Sequence, residues 1–211
     1  MNKETTLAVL AHLIEYPPPR LADQARAAAD WLDVQAPEAA MLARRFAGEI
    51  ARLSPGAVEE AYTAAFDFAS VGTLYSGEHL FGASEARASF LSRLNVLRRD
   101  HGVAPSAELP DHVAELLRLA AVLPAGDERD ELLRDALLPT ARAALAPLRQ
   151  ASHPCADAVA AVIAGVESFC GVVAQADVPA PAPARLPVVN GPLDCDPGAV
   201  AEAPDFFAPS P

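Results

Sequence analysis

Two short stretches gather the side chains that could do chemistry. Glu108-Leu109-Pro110-Asp111-His112 places two carboxylates and an imidazole within one pentapeptide, the groups used for acid–base work or for holding a divalent metal. Glu78-His79-Leu80-Phe81-Gly82-Ala83-Ser84-Glu85-Ala86-Arg87 adds carboxylates, a second imidazole and a guanidinium. Each stretch also has a plain structural reading. Pro110 and Asp111 suit the start of a helix, with the aspartate at the positive end of the dipole and His112 in the first turn. Gly82 suits a helix end and Ser84 the N-cap of the next helix, with Glu78, His79 and Arg87 bracing the corner between them.

Searched for catalysis, the chain offers little. It contains no GxSxG, HExxH or GxxxxGK[ST] pattern, and His12, His79, His101, His112 and His153 are scattered one per segment. Cys155, Cys170 and Cys195 form no CxxC pair, and an odd number of cysteines argues against a disulfide framework, so they read as buried or idle thiols. A metal-dependent hydrolase using Asp111 and His112 would need further ligands that the sequence does not group. The formal net charge of −12 disfavours nucleic acid and anionic membrane as partners and favours a basic peptide, although acidity also serves to keep an alanine-rich protein in solution.

The elements that must position these residues are helical. Apolar side chains recur at helical spacing through residues 1–174, no alternating β-branched run reads as a strand, and 52% hydrophobic residues suffice for one sizeable core. The expectation is an all-α single bundle of eight to ten helices. Leu7, Leu10, Ala11 and Ile14 mark the first helix, stopped by Pro17, Pro18 and Pro19, and Leu21, Ala25, Ala28 and Trp31 mark the second. A third is expected over 37–53, closed by Ser54, Pro55 and Gly56, and a fourth over 58–66, followed by a turn at 67–72. A further stretch reaches Phe81. A long helix follows from the Ser84 cap through Phe90, Leu94 and Leu97 to Arg98, Arg99 and Gly102, basic residues and a glycine suited to a C-terminus. The next runs from Pro110 to Leu123, then a pair broken at Pro139 covers 127–138 and 139–148, and Pro154 opens the last. Tyr62, Phe66 and Phe81 read as core.

Residues 175–211 differ in character. Nine of the 20 prolines fall there, and five acids against the single Arg185 give this acidic, proline-rich tail a net −4, leaving −8 on the helical body. Phe206 and Phe207 near its end could dock on a folded surface. The N-terminus lacks the pattern of a secretory signal and the most apolar segment, 156–174, carries Asp157 and Glu167, so a cytoplasmic protein without membrane insertion is expected.

Taken in order, the motifs resemble the nitrate reductase assembly chaperone family, NarJ, within the larger TorD and DmsD superfamily. Leu13-Ile14-Glu15-Tyr16-Pro17 looks like the end of that family's first helix, and Tyr62-Thr63-Ala64-Ala65-Phe66-Asp67 is similar to its Tyr-x-x-x-Phe-Asp signature. Glu78-His79, Gly82, Ser84 and Arg87 follow, then His101-Gly102 and Glu108-Leu109-Pro110-Asp111-His112, in the family's order and at about its spacing. Ser152 with Ala156 is a weaker echo. The chain departs from the pattern at Arg118, where a glutamate is usual and Glu115 stands one turn earlier, and in a tail where only Leu193-Asp194 and Phe206-Phe207 resemble the family's acidic, aromatic end.

The resemblance implies a chaperone and no enzyme. It would bind the N-terminal segment of the apo catalytic subunit of a molybdenum enzyme, without contacting nucleic acid. It would assist insertion of the molybdopterin guanine dinucleotide cofactor into that client without holding the cofactor tightly itself. The client could be nitrate reductase or a selenate, chlorate, dimethyl sulfide or ethylbenzene enzyme. Tyr75, Glu78, His79 and Arg87 are expected to form one wall of the client site and Glu108, Pro110, Asp111 and His112 the other. Asp111 and Glu115 would serve as charge partners, and His112 as a switch titrating near neutral pH.

Overall fold

The computed structural model describes residues 3–66 and 73–171, with side chains from residue 5 onward, and its regular elements are all helical. In chain order they are α1 (Lys3–Ala11), α2 (Leu21–Leu32), α3 (Pro37–Ile50), α4 (Pro55–Phe66), α5 (Ser76–Phe81), α6 (Glu85–Asp100), α7 (Val113–Val122), α8 (Asp127–Glu131), a π-helical segment (Leu132–Leu137), α9 (Leu138–Gln150) and α10 (Ala156–Cys170). The turn at 67–72, with Asp67, and the tail at 175–211, with Cys195, Phe206 and Phe207, lie outside the described residues. Among the described residues, no helix is long and apolar enough to cross a membrane.

The apolar spacing read from the sequence is the spacing that is buried. α1 packs against α2, α7 and α10, and Leu7, Leu10 and Ala11 are fully enclosed. Its α-type bonding stops at Ala11, and His12, Leu13 and Ile14 continue through amides bonded three residues back, which turns Leu13 and Ile14 into the core. α10 passes so close to α1 that a Cβ on Gly165 would lie 2.6 Å from Leu10 Cδ1, so glycine there is a packing requirement. α2 packs on α3, α3 on α10 and α10 on α9. Truncating a side chain as enclosed as Leu10 to alanine would cost about 2–5 kcal/mol.

Local chemistry sets the boundaries, and two of them, with the exposure of Phe81, correct the expectation. Ser54, Pro55 and Gly56 do not terminate α3, which ends at Ile50; they start α4, with Ser54 Oγ accepting from the Ala57 amide at 3.3 Å and Pro55 at the first helical position. The run from 127 to 150 is not broken at Pro139. Proline lacks the amide that would bond four residues back and its ring crowds that carbonyl, and the helix widens instead, with the Leu138 amide bonding to the Leu133 carbonyl five residues back. Phe81 is 41% exposed and is not core, whereas Tyr62 and Phe66 are buried as expected. The Ser84 cap and the left-handed Gly102, at φ +68°, stand where the sequence places them.

Candidate functional site

The loop before α5 and the loop before α7 pair side by side. Tyr75 and His112 form a single antiparallel bridge: the Val113 amide donates to the Leu74 carbonyl and the Ser76 amide to the Asp111 carbonyl, both at 2.9 Å. The two expected walls are therefore one joined unit. Tyr75 Oη donates to Glu108 Oε2 at 2.7 Å, and the Tyr75 ring meets the His112 ring edge to face at 5.2 Å.

Asp111 is fully buried at the centre of this unit. Its Oδ2 accepts from the Gly77 amide at 3.1 Å and lies 3.6 Å from the Arg87 guanidinium, which in turn lies 3.8 Å from Glu78. The carboxylate thus caps α5 from a different part of the chain, since Tyr75 at the N-cap position contributes no side-chain bond. Burial pushes the Asp111 carboxyl above its ordinary value, and Arg87 and the Gly77 amide offset this only in part. Asp111 Oδ1 and the buried Ser76 Oγ have no hydrogen-bond partner.

Three expectations for these residues need correction. Asp111 and His112 are not in the first turn of α7: the helix begins at Val113, and His112 is its N-cap, with Nδ1 accepting from the Ala114 amide at 3.2 Å. His112 is also not presented at the surface to a client: its ring is 2% exposed and Nδ1 is engaged with the amide that it caps. Glu115 is not presented at the surface. It is 1% exposed, 2.9 Å from buried Arg98, and paired also with Arg118, whose other nitrogen reaches Glu15. Arg98, in the last turn of α6 as expected, is also an internal ion-pair partner, and it donates to the Ala104 carbonyl at 2.7 Å.

Of the remaining candidates, Pro110 is buried, Tyr75, Arg87 and Glu108 are half-buried, and Glu78 and His79 are exposed. Among the described residues no group of three or more His, Cys, Asp or Glu side chains converges to hold a metal. Cys155 is buried and its thiol is pushed up to about 12 by desolvation with Glu49 adding to the effect, while half-buried Cys170 is raised for the first of these reasons.

An open groove lies beside α5, lined in part by Leu80 and Phe81 from the stretch between Tyr75 and Arg87. Leu80 and Phe81 of α5, Phe90 and Leu97 of α6, and Leu132 and Ala136 of the π-helical segment form its apolar surface. Phe81 and Phe90 meet edge to face at 5.5 Å, and Leu80 and Phe81 stay substantially exposed. Glu128, Glu131 and Asp135 line one rim; Arg93 on the other side pairs with Glu128 at 3.2 Å. Glu131 and Asp135 are exposed and make no ion pair with a described residue. The signal for this rim was present in the sequence: 128, 131, 132, 135 and 136 recur at i, i+3, i+4, i+7 and i+8, one face of a helix with acids beside aliphatic residues. Compared with known proteins, the chain matches no family model and no curated relative.

Proposed function

We propose that this protein is a cytoplasmic chaperone that binds the N-terminal segment of the apo catalytic subunit of a molybdenum oxidoreductase of the nitrate reductase type. It keeps the subunit competent to receive molybdopterin guanine dinucleotide before the complex assembles. The observation that carries the reading is the open groove between α5, α6 and the π-helical segment, an apolar surface with acids along one rim on a body of net negative charge. Such a surface accepts an amphipathic segment with basic flanks and needs no covalent step. The order of motifs from Tyr62 through Arg87 to His112 supports the choice of client class.

In this role Asp111, Gly77 and Arg87 fix α5, and α5 presents Leu80 and Phe81. The test is co-expression with the catalytic subunit of a molybdenum oxidoreductase of the nitrate reductase type, followed by co-purification and elemental analysis. The apo subunit should co-purify with the chaperone, and cells lacking the chaperone should yield catalytic subunit depleted in molybdenum. A fully loaded subunit from those cells would overturn the proposal.

A further inference from the structure

The groove has a polarity that narrows what it can hold. One side is aliphatic and aromatic, and the opposite rim is a row of carboxylates at helical spacing, of which Glu131 and Asp135 are four residues apart, exposed and without an ion-pair partner among the described residues. We propose that Glu131 and Asp135 select the groove's partner. The partner is a short amphipathic helix with its apolar face on Leu80, Phe81, Phe90 and Leu132 and two basic side chains, about one turn apart, along the edge that meets these acids. This rests on the chaperone reading and names the chemistry of the segment that the groove takes.

The choice of a helical occupant follows from the rim. Side chains at 128, 131, 132, 135 and 136 form a continuous stripe along one face of a helical run, and that is the surface a second helix packs on, with its residues at i, i+3, i+4 and i+7. The choice of a basic occupant follows from charge. A second copy of this chain would bring another −12, and its own tail carries −4, so both would meet Glu131 and Asp135 with like charge. A partner with Lys or Arg one turn apart neutralises both acids, and can also compete with Arg93 for Glu128, whose ion pair is largely exposed and weak.

The test uses a fluorescently labelled 16-residue helical peptide with leucines at i, i+3, i+4 and i+7 and two arginines along one flank, and a second peptide with glutamines in place of the arginines. Anisotropy titrations are run with the full chain and with the Glu131→Gln/Asp135→Asn and Phe81→Ser variants. Both variants change exposed side chains, and circular dichroism verifies that they remain folded. The double variant should weaken the arginine peptide roughly three- to tenfold and flatten its salt dependence, while leaving the glutamine peptide unchanged. Phe81→Ser should weaken both peptides. An unchanged affinity and salt slope for the arginine peptide with the double variant would overturn the proposal. So would a dimer of the full chain that Phe81→Ser converts to monomer, since a second copy would then occupy the groove. If the molybdenum enzyme subunit still co-purifies with the double variant as with the wild type, the selection by Glu131 and Asp135 fails while the chaperone reading stands. If the subunit is fully loaded without the chaperone, the chaperone reading fails whatever the peptides do.

Discussion

Asp111 Oδ2 accepts the backbone N–H of Gly77 at 3.1 Å across 34 residues of sequence, and a Cβ on Gly77 would lie 2.7 Å from that same oxygen. The carboxylate and the bare α-carbon require one another, and together they set where α5 starts and where Leu80 and Phe81 point. Gly77→Ala should displace the carboxylate and cost about 1–3 kcal/mol, the usual penalty for crowding a packed site. Asp111→Asn should change stability by less than about 1 kcal/mol, because an amide oxygen can still accept from Gly77, whereas Asp111→Ala leaves that amide bare and should cost about 1–3 kcal/mol. Urea titrations of the three variants check the order, and the anisotropy assay should show Gly77→Ala losing peptide affinity through α5.

Arg98 and Glu115 form an ion pair that is almost wholly enclosed, so removing one partner strands the other. Arg98→Met should destabilise the protein by about 3–5 kcal/mol. Arg118→Met should cost less, since Arg118 is 30% exposed and Glu115 retains Arg98. Paired thermal melts would settle the ranking; equal effects would show that Glu115 divides its interaction evenly between the two arginines.

Glu15 and Asp111 respond to pH in opposite senses. Burial disfavours ionisation of Glu15, yet the hydrogen bond with His12 and the charge of Arg118 outweigh it and hold the carboxyl below its ordinary value. The stability from Glu15 is therefore present above its unfolded-state value and is lost as pH falls through the lower folded value. Asp111 is raised, so its contribution is present below its unfolded-state value and is lost as pH rises through the folded one. Denaturant midpoints measured between about pH 3 and 7 should show Glu15→Gln removing part of the acid-side loss, and Asp111→Asn removing part of the decline toward neutrality.

Gly165 faces Leu10 at the crossing of α10 and α1. Gly165→Ala gains helix propensity of about 1 kcal/mol but forces a methyl to within 2.6 Å of Leu10 Cδ1, in a place where Leu10 has no exposed direction to move. A net loss of about 1–2 kcal/mol is expected on balance. A melting temperature at or above that of the wild type would show that the core around α1 yields.

The helical body was legible because each apolar stripe is buried by several neighbours at once, so that Leu7, Leu10, Ala11 and Ile14 could only face inward. Caps were legible where the chemistry is local, as at Ser84 and Gly102. The Glu108–His112 and Glu78–Arg87 stretches were singled out, but their geometry was not legible, because Asp111 caps a helix from a distant loop and His112 caps its own helix, which starts later than expected, at Val113. Arg98 stands in the last turn of α6 as read, but its ion pair was not legible, because Arg98 also continues the stripe of Phe90, Leu94 and Leu97, and the buried Glu115 that meets it lies on α7. The acids at 131 and 135 were passed over because no single residue there is unusual; their meaning comes from the α5 and α6 side chains opposite.

The π-helical segment gives the chain a matter of phase. A residue advances the helix by about 100°, so the extra residue accommodated near Pro139 sets the angle between the face that the π-helical segment turns toward α5 and the face that α9 turns toward α10. Chain length between Glu131 and Pro139 is thereby a determinant in its own right. A variant with one residue fewer there, every other side chain kept, would have to choose between a buried α9 and a correctly aimed carboxylate row.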